Sequence, residues 1–188
     1  MTAPIRIAGW GRATDGSTVT WAVAEGRKGR RWREVRTRGE DVIHSLLLET
    51  DEARRFSHLE LARADGLWTF HPEADGTLHG NHVGGGDPGI RHFSGWPFDP
   101  DDAVVVEGSP LSLAALAWRL AASFRVGSTV SVPGVVIGAS GRADQVADIR
   151  VRRLSNVAWQ AGEGSPLEID DAGLPVLGDG EIRPLELV

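Results

Sequence analysis

A chain of 188 residues with 41% hydrophobic and 24% charged residues has the make-up of a soluble globular protein and the length for one hydrophobic core, which excludes a disordered or fibrous design. Its formal charge of -6 argues against nucleic acid or an anionic membrane as a partner for the surface as a whole, because phosphate binding rewards clustered positive charge. The absence of cysteine removes disulfides, thiolate catalysis and cysteine-ligated metals, leaving histidine and carboxylate as ligands.

The opening MTAPIRIAGWGRATDG has no basic segment followed by an apolar run. No window approaches the roughly 18 uncharged apolar residues of a spanning helix. The expectation is a cytoplasmic protein without a membrane span, folded as a single domain over 1–188. After the Asp15-Gly16 turn, residues 18–24 alternate so that Val19, Trp21 and Val23 share one face, a half-buried strand. The following RRWREVRTR reads as extended, with only Trp32 and Val35 available to the interior. These two fall on opposite faces of a regular strand, which leaves either a bulge or a solvated edge strand guarded by its arginines. Residues 42–49, VIHSLLLE, form a central strand.

The stretch from Phe56 to Val83 holds four of the six histidines and is cut by two Asp-Gly pairs into three alternating runs, the pattern of an antiparallel meander. VGGGDPG, residues 83–89, is a long hairpin connection, since no helix follows it to make a phosphate loop. IRHF resumes the sheet, SGWPFDPDD leaves it, and AVVV is a further short strand. Residues 109–124, SPLSLAALAWRLAASF, carry the one strong helix signal: Ser109 caps, Pro110 suits the first helical position, and Leu113, Leu116, Ala117, Leu120 and Phe124 recur at helical spacing. STVSV, GVVIG, a long segment around VADIRVRR and a terminal edge strand EIRPLELV complete eleven to thirteen strands. The fold class is mainly β, at the α+β margin: a curved antiparallel sheet, partly open β-barrel or β-roll packed on one main helix.

A two-residue loop at Asp65-Gly66 places Glu60 opposite His71, and a turn at 72–76 places Thr69 opposite His79. Leu59, Leu61, Trp68, Phe70 and Leu78 then share an apolar face for the helix to cover. His58, Glu60, Thr69, His71, His79 and Asn81 share a polar face, and His82 goes to the apolar side. Glu60, His71 and His79 have the donor set of a facial triad for one divalent metal ion, which defines a metal-dependent enzyme as the alternative function. Ordinary solvated polar residents of an antiparallel sheet account for the same residues. Ser109 lacks the flanking glycines of a nucleophile elbow. The arginine-rich strand, with Trp32 inside it, has the residues to stack on and neutralise a nucleic acid, but the overall acidity and the lack of further aromatic interleaving favour a solvated edge.

The succession of antiparallel strands, the single apolar helix and the closing segment PLEIDDAGLPV resemble the bacterial glycolipid-binding family, whose fold is similar to that of the lipoprotein-carrier half-barrels. The resemblance implies a curved sheet around a hydrophobic groove. It turns the apolar face into a candidate wall for a small apolar or amphiphilic, lipid-like ligand, with Trp68, Phe70, Leu78, Leu61 and Trp118 as the binding residues. The expected function is non-catalytic ligand binding without a cofactor, with no nucleic-acid partner. A structural or protein-interaction module exposing an edge strand is the third reading, and a homodimer is left open.

Overall fold

The computed structural model describes residues 6–84, 89–138 and 143–184. Within them lie fifteen strands and one helix: β1 (Arg6–Arg12), β2 (Thr18–Gly26), β3 (Gly29–Arg38), β4 (Asp41–Thr50), β5 (Phe56–Arg63), β6 (Gly66–Pro72), β7 (Thr77–Gly84), β8 (Ile90–Pro97), β9 (Ala103–Val106), α1 (Pro110–Leu120), β10 (Thr129–Ile137), β11 (Ala143–Arg153), β12 (Ala158–Ala161), β13 (Leu167–Ile169), β14 (Pro175–Val176) and β15 (Gly178–Pro184). The mainly β class with one helix is therefore the observed one. The connection 83–89 falls largely on residues outside those described.

Strands β1 to β8 pair in chain order, and β15 closes onto β1, making a nine-stranded antiparallel sheet. Residues 181–184 of the expected terminal strand thus lie in an edge strand, and the rest of that segment falls outside the described residues. A second sheet runs β14-β13-β12-β11-β10-β9. Its only parallel pair among the described residues is β9 with β10, because α1 intervenes and a crossover returns the chain in the same direction. All four residues of β9 are buried, as a strand covered on both faces requires. STVSV and GVVIG are one strand, not two. Pro133 and Gly134 lie inside β10, and Gly134 brings its backbone so near Ala103 of β9 that a Cβ would sit 2.2 Å from the carbonyl oxygen.

The inner face of the large sheet follows the alternation. Val19, Trp21, Val23, Leu46, Leu48, Leu59, Leu61, Phe70 and Leu78 are all buried in one continuous core that includes the inner residues of the second sheet. Two aromatic rings lie over cross-strand glycines. A Cβ on Gly80 would come 2.8 Å from the Phe70 ring, and one on Gly9 2.4 Å from the ring of Trp21.

Strand β3 departs from expectation. It is central, between β2 and β4, and it is regular through Trp32 and Val35, with its irregularity further on at Arg36/Thr37. Trp32 is fully buried, whereas Val35 faces solvent. The residues that join Trp32 inside are Arg30 and Glu34, at 5% and 1% exposure. Burial of a charge without partners is costly, and here the partners exist.

The helix starts where expected. Ser109 Oγ accepts from the Ser112 amide at 3.2 Å, and Pro110 occupies the first turn. It ends at Leu120, short of Phe124, and Arg153 Nη1 donates to the freed carbonyl of Ala121 at 3.1 Å. Its main packing partners are β9, β13 and β3, and not the meander strands β5 to β7. No helix among the described residues is long and apolar enough to cross a membrane.

Candidate ligand cleft

The meander forms with both faces as assigned and with its register moved by two residues at each turn. The first loop is Ala64-Asp65, closed by the Arg63↔Gly66 pair, so Glu60 stands opposite Thr69 and not His71. In the second hairpin His71 stands opposite His79, and Thr69 opposite Asn81. A shift of two preserves faces and changes neighbours. The carboxylate of Glu60 bonds His58 at 3.2 Å, while His71 bonds Glu73 at 3.0 Å. The side-chain oxygen of Asn81 accepts from His79 at 3.2 Å and from His92 at 2.6 Å, because β8 is the neighbour of β7. The rings of His71, His79 and His92 follow one another at 5.2 and 5.9 Å. Glu60, His71 and His79 are not brought to a common point. Among the described residues no group of three or more histidine or acidic side chains is placed to hold a metal ion.

The apolar candidates lie in the core. Leu61, Phe70 and Leu78 are at most 1% exposed, and Trp68 is 6% exposed. The Trp68 ring stacks on His82 at 3.9 Å and on Phe93 at 5.5 Å, which accounts for His82 on this side. Trp118, half-buried on α1, meets the edge of Trp32 at 5.9 Å. The guanidinium carbons of Arg30 and Arg54 lie 3.8 and 4.1 Å from its ring centroid. Arg30 is further held by Glu25 at 3.0 Å and by the Ala172 carbonyl at 2.7 Å. Burial pushes the Arg30 guanidinium below its ordinary pKa, and Glu25 opposes that shift.

The open volume lies elsewhere. A cleft of about 1140 Å³ runs between the β1/β15 side of the large sheet and the second sheet, ending at the amino end of α1. Val105, Leu113, Val136, Ile149 and Leu167 supply apolar walls; Arg12, Arg36, Arg150, Glu107, Glu163 and Glu168 supply charge around them. None of Trp68, Phe70, Leu78, Leu61 and Trp118 lines it.

A buried polar relay sets the cleft's inner end. Glu34 Oε1 is 2.7 Å from His44 Nε2, and Glu34 Oε2 accepts from Ser109 Oγ at 2.8 Å and from the Leu111 amide at 3.1 Å. The carboxylate thus satisfies amino-terminal donors of α1 directly from β3, with the favourable sign at the positive end of the helix. Arg36 reaches the same corner, donating to the Gly108 carbonyl and, at 2.7 Å, to Ser17 Oγ. Asp15 accepts from the Ser17 hydroxyl at 2.6 Å and from Arg36 at 3.0 Å. These contacts, the Ser17 hydroxyl first, hold the Asp15 carboxyl well below the usual carboxylate range. Ser109 gives its proton to Glu34, not to a histidine, so the serine is a cap and not an activated nucleophile.

The charged alternation of β3 contained the missed signal. Arg30, Glu34 and Arg36 share the face of Trp32 by period two alone. No known family model matches the chain, and no curated protein matches it. Among solved structures the chain is similar to a DUF1089 family protein from Pseudomonas aeruginosa, at 16% identity and a TM-score of 0.43, with 93% of this chain and 88% of that one covered.

Proposed function

We propose that the protein is a non-catalytic binding protein for a small amphiphilic, lipid-like ligand, and that the ligand sits in the cleft at the amino end of α1. The carrying observation is the cleft itself: open space on the scale of small-molecule pockets, with apolar walls and charged groups of both signs around them. Apolar walls favour a hydrocarbon portion, and Arg12 and Arg150, which make no ion pair among the described residues, suit a polar or anionic head. The resemblance to the glycolipid-binding family points to the same ligand chemistry, with the site moved from the meander face to the cleft.

Titration with the anionic amphiphilic fluorophore anilinonaphthalene sulfonate tests this. Saturable binding is expected, weakened about tenfold or more by Leu113→Glu or Val136→Arg and unchanged by Val42→Glu, which lies on the exposed side of β4. Binding that is absent in the native chain, or indifferent to both cleft substitutions, overturns the proposal.

A further inference from the structure

The face of the nine-stranded sheet that points away from the core has no covering layer among the described residues, yet it carries six of the ten large hydrophobic residues that are exposed, Val42 near the start of β4 and five others. Trp10, Val35, Leu67, Val83 and Ile90 are 37% to 58% exposed. They are not scattered. Successive cross-strand pairs join them, through small residues on β2, β4 and β5, into one row from β1 to β8. Exposed apolar side chains aligned in one row suit an interface, whereas single exposed side chains need no explanation.

The neighbouring row indicates the occupant. Arg33 on β3, Leu47 on β4 and Glu60 on β5 are consecutive partners across the sheet. Arg33 is exposed and makes no ion pair or side-chain hydrogen bond among the described residues, and the Glu60 side chain is 46% exposed. An unpaired cation and an accessible carboxylate therefore lie symmetrically on either side of β4. We infer that this face docks a second copy of the chain about a two-fold axis running along β4. That operation lays β3 over β5 and β1 over β7. Arg33 then meets Glu60 of the second copy and Glu60 meets its Arg33, as an isologous contact requires. Trp10 falls over Val83 of the second copy, Val35 over Ala62, and Leu47 on its own counterpart. Glu49, which also falls on the axis, is already neutralised by Arg31 at 2.5 Å within its own copy.

Light scattering during size exclusion of the full chain tests the assembly. The native protein is expected at twice the 20.2 kDa of one chain. Leu67→Glu with Val83→Glu is expected at the monomer mass with an unchanged circular dichroism spectrum, since neither side chain is in the core. Arg33→Glu alone should also dissociate the dimer, and Arg33→Glu combined with Glu60→Arg should restore it by reversing both members of the pair. A monomeric native protein overturns the inference, leaving the face to a different partner. A dimer that survives the Leu67 and Val83 changes, or a double reversal that stays monomeric, overturns it as well.

Discussion

At the scale of single residues, Glu34 has the largest consequence. It is 1% exposed and serves three donors from two elements: His44, Ser109 and the Leu111 amide. Glu34→Ala leaves those donors buried without an acceptor, and a loss of about 3–5 kcal/mol in unfolding free energy is expected from denaturant titration. A loss below about 1 kcal/mol is incompatible with this role. Asp15 makes a different prediction. Its folded pKa is depressed below the ordinary carboxylate value, so its stabilisation is fully present above that ordinary value and is lost as pH falls through the folded one. Asp15→Asn should therefore flatten the acid limb of a stability-versus-pH curve and leave the slope near neutrality unchanged. Because Asp15 is 39% exposed, solvent keeps the effect modest. None of this was visible from the chain alone. Glu34 and Arg30 lie on the face of Trp32 by alternation, but whether that face tolerates charge depended on α1 and Trp118 standing opposite.

At the scale of elements, the meander shows how local chemistry succeeds and stops. Alternation placed Leu59, Leu61, Trp68, Phe70 and Leu78 inside, and all five are buried. The Asp-Gly pair located the turn but not which two residues form the loop; Ala64-Asp65 do so, with Gly66 at a φ of 141° on the first paired position. A displacement of two residues costs nothing in facial pattern, which is why periodicity could not detect it. It nonetheless exchanges every cross-strand neighbour, separating Glu60 from His71. The second hairpin is also constrained by Gly80, which accommodates the Phe70 ring. Gly80→Ala should destabilise by about 1–3 kcal/mol in thermal or denaturant melts, since the ring has no room to retreat. A neutral effect there means that the ring does not sit over the glycine. At the helix, Ser109→Ala removes both a cap and a donor to Glu34, with an expected cost of about 1–2 kcal/mol in the same measurement.

At the scale of the whole molecule, one core joins two sheets of unequal size through α1. Trp32 on β3 and Trp118 on α1 touch at that junction, so tryptophan fluorescence reports the docking of the sheets while far-UV circular dichroism reports the strands. The two transitions are expected to coincide in guanidinium; a separate earlier change in fluorescence is evidence for two independent units. The same docking opens the cleft on one side and leaves the row from Trp10 to Ile90 bare on the other. The two proposed surfaces thus test separately, one by ligand binding and the other by mass.

The chain by itself determined the mainly β class, the capped start of the single helix and the inward faces of most strands, because these rest on period-two and helical spacing and on capping chemistry within a few residues. Tertiary structure alone decided the strand register, the central place of β3, the parallel pairing of β9 with β10, and the cleft. Each depends on contacts between residues far apart in sequence. Residues 12 and 150 meet across one cleft, as residues 34 and 109 meet across one hydrogen bond, only after two sheets have packed.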